Sequence, residues 1–268
     1  MTVGTHNGLF HSDEIIAIAI INTNKKSKVS IIRSRNPEKL KQADILVDVG
    51  GKFDGIRFFD HHQLRDGDNL YGLSSAGMVV MTLPLPNMTT EKRGLIQAVD
   101  QRDTRVGWNK DGEYEIVFNA VNDCNKLDIE STAQDKIFKT LVGLFTDYFG
   151  DKITYTELQK KVIIIGNKNK KIKNDIMRDR FKKVVKIGMN GSIPIYKHEN
   201  LEYVDTQFFG DTPFIFLSHD AIQQNYSVIT NTKYSKIICI SEKVFVHANG
   251  FFAKTNSLDN LVLDIEEV

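Results

Sequence analysis

Hydrophobic positions in the first sixty residues come in short runs that switch between strand-like and helix-like spacing, each ended by polar residues or glycine. Residues 2–5 make a short strand. Residues 15–21 make a long apolar helix behind Ser12, read as the N-cap, with Glu14 close behind. Residues 29–32 read as a buried strand, and Asn36-Pro37-Glu38 opens a short helix with a capping residue followed by proline. Residues 45–49 are strand again and close on Gly50-Gly51, and residues 56–59 run into Asp60. Strand, helix, strand, helix, strand, strand in this order predicts an α/β fold with a mainly parallel sheet and helices on its faces.

Further along, Ser74-Ser75-Ala76-Gly77 precedes a helix over 78–83, either as plain capping or as an N-terminus that holds phosphate. Pro84 and Pro86 stop that helix, and residues 90–100 form the next. Residues 113–149 are helical, with Leu141, Leu144, Phe145 and Tyr148 on a core face. In residues 157–187 eleven Lys or Arg residues interleave with apolar positions, which predicts a long helix or a pair broken near Gly166. Those lysines are either a solvated face or a basic wall that tracks a phosphodiester backbone. From residue 193 the pattern turns to short β runs (193–196, 214–217, 226–229, 237–240 and 244–247), with a final helix over 258–265. The expected organisation is a first domain over 1–150, a helical connector over 151–190 and a smaller α+β domain over 191–268.

In open parallel sheets, binding sites form beyond the carboxyl ends of the strands. His6, Asp48 and His61 each stand just after a strand, and His11, Asp13, Asp100 and Asp103 add further imidazole and carboxylate groups. Such a set chelates one or two divalent cations of hard to borderline character. Asp48 suits a bridge between two ions, the alternative being a cap on the Gly50-Gly51 turn. Asp60 is placed to hold a histidine tautomer. Asp100 is preferred over Asp103, one turn away on the same helix. Arg33 and Arg35 end the second strand and can grip a phosphate, or pair with Glu38 or Asp44. His247, before Asn249-Gly250, is either a phosphate contact or a turn residue.

Composition narrows the class. Hydrophobic residues at 41% and charged residues at 26% are ordinary for a soluble globular protein, and a net charge of +1 provides no global field for nucleic acid. Cys124 and Cys239 lie far apart without a CxxC, which argues against a disulfide framework and fits a reducing compartment. The opening MTVGTHNGLF lacks a basic region followed by an apolar core, so the expected location is cytoplasmic.

Taken together, THNGLFHSDE, IIRSRNPEKL, ADILVDVGG, FDHHQ, LSSAG and AVD resemble the melanocyte-proliferating-gene exonuclease family, a branch of the DHH phosphoesterase superfamily. VFVHANGFFAKTNSLDN is similar to that family's closing motif. The resemblance implies a DHH-type catalytic domain binding two divalent ions, Mn²⁺ preferred and Mg²⁺ the alternative, and a C-terminal domain that closes over substrate. By similarity, His6, His11, Asp13, Asp48, His61 and Asp100 are the metal ligands, with Asp48 bridging. His62 faces the scissile phosphate and, with Asp48 and Asp60, makes up the catalytic set. Arg33, Arg35, Ser74, Ser75, His247 and Gly250 are the candidate substrate contacts read from the residues themselves, with the structural alternatives given above left open. The implied activity is 3′–5′ exonuclease cleavage of single-stranded RNA or short oligonucleotides by two-metal hydrolysis. The alternatives are a small-molecule phosphohydrolase acting on a dinucleotide or pyrophosphate, and a non-catalytic nucleotide-binding protein. Two departures from the family pattern are a short stretch between Gly77 and Asp100, and His11 in place of a carboxylate.

Overall fold

The computed structural model describes residues 1–25, 28–65, 68, 70–129, 131–190, 192–199, 204–220, 225–231, 235–239, 245–246, 251–255 and 263–267. The chain divides into two compact units, Met1–Lys171 and Ile172–Val268.

The first unit is built on four parallel strands, β1 (Thr2–Thr5), β2 (Ser30–Arg33), β3 (Ile45–Val47) and β4 (Phe58–Phe59), in the spatial order β2-β1-β3-β4. Between β1 and β2 runs α1 (Ser12–Lys25), in which every residue from 12 to 22 is buried. A helix apolar on all sides can only be a central one. Accordingly, α1 packs against β3, α3 (Ser75–Thr82), α4 (Thr90–Thr104), α5 (Glu115–Cys124) and α6 (Thr132–Phe149). Its five isoleucines are fully shielded, each worth roughly 1.5–3 kcal/mol relative to exposure. The short α2 (Pro37–Leu40) forms as its sequence predicts, Asn36 accepting from the Glu38 N–H at 2.9 Å. Ser12 is not the cap of α1. It is the first helical residue and its Oγ is buried without a hydrogen-bond partner, while Glu14 takes the His11 N–H at 2.9 Å. That bond is the return half of a capping box, with His11 in the cap position.

The helix α7 (Tyr155–Phe181) is continuous through Gly166 rather than broken there. A Cβ at Gly166 would stand 2.7 Å from the Ala120 carbonyl oxygen, so this glycine lets α7 approach α5 closely. Residues expected to continue the helical connector instead form a strand, β5 (Val184–Asn190).

The second unit is mostly sheet. Strands β5, β6 (Ile193–His198), β7 (Ile215–Asp220), β8 (Asn225–Thr230), β10 (Phe245–Val246) and β11 (Phe252–Thr255) lie in the order β10-β11-β8-β7-β6-β5. Only the β6–β7 pairing is parallel. A separate antiparallel pair joins β9 (Ser235–Cys239) to β12 (Leu263–Glu267). Alternation along β7 puts Ile215 with Ile193 and Val228, and Phe216 with Val204 and Phe214 in a second cluster. The expected terminal helix over 258–265 is overturned where the chain is described, since Leu263–Glu267 is a strand and residues 258–262 lie outside the described set. Leu263-Asp264-Ile265-Glu266 alternates apolar and polar, and Ile265 pairs with Ile237.

Candidate metal centre

β1 connects through α1 to β2 on one side, while β3 and β4 lie on the other. The strand order therefore switches direction between β1 and β3, the place where crevices open in sheets of this kind. His6 follows β1, Asp48 follows β3, and Asp60-His61-His62 follow β4. Asp13 and Glu14 come from the first turn of α1 and Asp103 from the last turn of α4.

Asp48 is the hub. It is 4% exposed, and its φ of 55° places a non-glycine residue in the left-handed region. Such strain persists only where surroundings enforce it, and it clusters at functional sites. Its two carboxylate oxygens face different groups. Oδ2 lies 3.1 Å from His6 Nε2, whereas Oδ1 lies 3.4 Å from His61 Nε2, 3.5 Å from His62 Nδ1 and 3.3 Å from Ser75 Oγ. His6 Nε2 is also 3.3 Å from Glu14, and His61 Nε2 is 2.7 Å from Asp103.

Four groups bring their ligand atoms within 4.8 Å of one another: His6, His11 and Glu14; Asp48, His61 and His62; His11, Asp13 and Asp103; and Asp13, Glu14 and Asp48. The most telling member is Asp13. It is 1% exposed and both of its oxygens are buried without a hydrogen-bond partner. Burial, then the nearby Asp48, Asp103 and Glu14, raise its pKa well above the carboxylate range. A buried carboxylate lacking donors is costly unless it is protonated or neutralised by a cation. Imidazole and carboxylate together suit a borderline divalent ion such as Mn²⁺ or Zn²⁺. The residues present fit a metal.

The histidines answer the same excess of negative charge. Burial by itself would lower His6, but hydrogen bonds to Asp48 and Glu14 raise it to about 10. Burial likewise opposes protonation of His61, and Asp103 and Asp48 raise it to about 10. For Asp48 burial acts upward, yet the hydrogen bonds from His6 and His61 hold it far below the usual range. Asp60 accepts the Gly51 N–H at 2.7 Å, the His62 N–H at 3.1 Å and His62 Nδ1 at 2.8 Å. It thereby orients an imidazole whose side chain is 64% exposed.

Other candidates go elsewhere. Asp100, preferred on sequence, is absent from the ligand groups: its Oδ1 accepts from the Ser74 N–H at 3.0 Å and Ser74 Oγ at 2.6 Å. A Cβ on Gly77 would lie 2.4 Å from that carboxylate, so only glycine admits it. Burial raises Asp100 to about 6 against the hydrogen bonds from Ser74 and Gly77. Ser74 caps α3, whereas Ser75 reaches Asp48. Arg33 is not offered to a ligand; its buried side chain bonds Asp135 at 2.8 Å and the Gly8 carbonyl at 2.8 Å, and lies over the Phe138 ring at 4.6 Å. Arg35 is exposed. His247 and Gly250 lie outside the described residues. Glu14, which the sequence offered only as a capping residue, joins two of the candidate ligand groups; an acid directly before a fully apolar helical run is bound to be buried.

Residues 2–83 match the family profile MYG1_exonuc, described as "Uncharacterised protein family (UPF0160)". That stretch carries every member of the four ligand groups except Asp103. An MYG1 protein of Schizosaccharomyces pombe is 46% identical over 83 residues, 29% of this chain and 26% of that protein. An MYG1 protein of Saccharomyces cerevisiae is 48% identical over 81 residues, 28% of this chain and 24% of its own. The Homo sapiens protein called MYG1 exonuclease is 45% identical over 74 residues, 27% and 20% of the respective chains. The matched stretch thus spans about a quarter of those relatives' length. Among solved structures, the pGpG-specific phosphodiesterase PggH of Vibrio cholerae aligns over 95% of this chain and 92% of its own, at 12% identity and a TM-score of 0.48. No described helix is long and apolar enough to cross a membrane.

Proposed function

We propose that this chain, whose residues 2–83 match the MYG1 family profile, is a metal-dependent phosphodiesterase acting as a 3′–5′ exonuclease on single-stranded RNA or short oligonucleotides. The observation that carries the reading is Asp48, a buried carboxylate in a strained backbone whose two oxygens face separate imidazoles. That disposition suits an anion shared by two cations. Support for the exonuclease step comes from relatives bearing that name, matched over part of their length.

His6, His11, Asp13 and Glu14 would hold one ion, and His61 and Asp103 a second, with Asp48 common to both. The four carboxylates carry a charge that two dications balance, whereas without metal the imidazoles carry protons instead. When bound, such ions supply a water of lowered pKa and a positive clamp for phosphate oxygens. The chain's own contribution is positional. Asp60, first among the influences on His62, raises its pKa and fixes Nδ1, which leaves Nε2 as the donor toward a leaving oxygen. Ser75 steadies Asp48 from the N-terminus of α3.

The test is a cleavage assay with Mn²⁺ over labelled RNA, DNA and dinucleotides. Stepwise shortening of RNA from the 3′ end is the expected result. Cleavage of dinucleotide or pyrophosphate alone would move the protein to the small-molecule class, and no cleavage of any phosphodiester by metal-loaded protein would sink the proposal.

A further inference from the structure

Immediately beyond Asp103 the chain makes an unusual loop. Arg105, the C-cap of α4, has a φ of 65°, a left-handed conformation that is unfavourable for a non-glycine residue. The turn folds Arg105 back so that its guanidinium carbon lies 4.2 Å from the centre of the Trp108 ring. The indole is pinned from its edge as well, since Nε1 donates to Glu115 Oε1 at 2.9 Å. Glu115 is buried and is itself held by Arg102, whose other nitrogen donates to Asn119 at 3.0 Å. Trp108 nevertheless remains 40% exposed. Val106 in the same loop packs over the backbone at Gly72, 3.5 Å from where a Cβ would stand, just ahead of Ser74 and Ser75.

An exposed tryptophan held by a hydrogen bond and a stacked cation is ordered before any ligand arrives, so little conformational freedom is lost on binding. Its π face accepts any base, and the adjacent guanidinium complements a phosphate. We infer that Trp108, backed by Arg105, is the platform on which a nucleobase of the substrate stacks, beside the end of α4 that carries Asp103. The inference rests on the phosphodiesterase reading above and deepens it: the substrate is selected for having a base, and without regard to which base. The matched family stretch ends at residue 83, so this platform belongs to a part of the chain that the profile does not cover.

Trp108 is the sole tryptophan of the chain, so its emission reports this contact alone. The experiment titrates the full chain, metal-stripped and in EDTA, with an adenosine trinucleotide and with the same trinucleotide lacking its 3′-terminal base, following tryptophan emission and binding heat in parallel. The expected result is quenching by the intact trinucleotide only, with affinity falling on the order of tenfold for Trp108→Ala and largely kept by Trp108→Phe. Binding heat with unchanged emission, and equal affinity for the abasic probe, would overturn the inference while leaving the phosphodiesterase reading in place. If the trinucleotide neither binds nor is cleaved when Mn²⁺ is restored, the phosphodiesterase reading fails and this inference with it. The wild-type emission does not depend on whether a variant folds.

Discussion

Lys92 and Asp13 are both buried charges in the first unit, yet they differ in kind. Lys92, in the first turn of α4, is 2% exposed and spends its three protons on the Asn87 carbonyl at 3.1 Å, the Phe149 carbonyl at 3.0 Å and Asp151 at 2.6 Å. Asp13 has both oxygens buried and no donor for either. A satisfied buried charge explains itself as architecture, here tying α4 to the end of α6. An unsatisfied one must be protonated or neutralised by a cation, and Asp13 stands among three other carboxylates.

The largest expected effect comes at the hub of the unsatisfied group. Asp48→Asn should lower Mn²⁺-dependent cleavage by at least about a thousandfold, the order seen when several kcal/mol of electrostatic stabilisation is removed. The metal-free variant should still melt as a folded protein, at a lower temperature than wild type because His6 and His61 lose an ionic partner. Near-normal turnover would refute the shared-ligand geometry, and loss of activity through unfolding alone would return Asp48 to capping the glycine turn.

Next is the coupling between metal and protons. In the metal-free protein His6 and His61 stay protonated up to about pH 10, and a metal ligand must be neutral. Affinity for Mn²⁺ should therefore climb with pH, by up to roughly a hundredfold per unit if two protons are displaced. Calorimetry at pH 7.5 in Tris and in HEPES should give different apparent enthalpies, reporting that release; identical enthalpies would deny it. The metal-free fold obeys the same linkage with the opposite sense. Stability from the raised imidazoles is fully present below about pH 6.5 and is lost as pH rises toward 10.

Substitution at the two contrasted charges sharpens the comparison directly. Lys92→Met should cost about 2 kcal/mol by stranding two carbonyls, with no change in metal stoichiometry. Asp13→Asn should do the reverse, stabilising the metal-free protein by roughly 1 kcal/mol while weakening metal binding. Urea unfolding and Mn²⁺ titration of both variants decide it, and a destabilised Asp13→Asn would show that Asp13 is satisfied after all. The smallest effect is expected at Asp100, where Asp100→Asn should leave the number of bound ions unchanged, whereas Asp103→Asn should reduce it. A lost ion on Asp100→Asn would restore Asp100 as the ligand.

Much of the candidate centre was readable along the chain because which residue stands at a strand end is a local feature. His6 after β1, Asp48 after β3 and His61 after β4 follow from where short apolar runs stop. The parallel order of the first four strands was readable for the same reason, each element showing its own period. Gly50-Gly51 also pointed to a turn, though not to the left-handed Asp48 just before it.

Choices among neighbours belonged to the tertiary structure. Asp100 and Asp103 share a helix face by spacing, but Ser74, the cap of α3, and Gly77 in its first turn claim the first and leave the second to His61. Arg33 ends a strand as a phosphate ligand would, yet Asp135 and Phe138, more than a hundred residues on, draw it into the interior. The expected helix near the C-terminus yields to a strand because β9 supplies a partner for residues 263–267. What the sequence by itself determined were the local quantities, namely which residue types stand where each element ends. Partners distant in the chain decided the rest, because a side chain goes to whichever donor, acceptor or apolar surface the packed fold brings within reach.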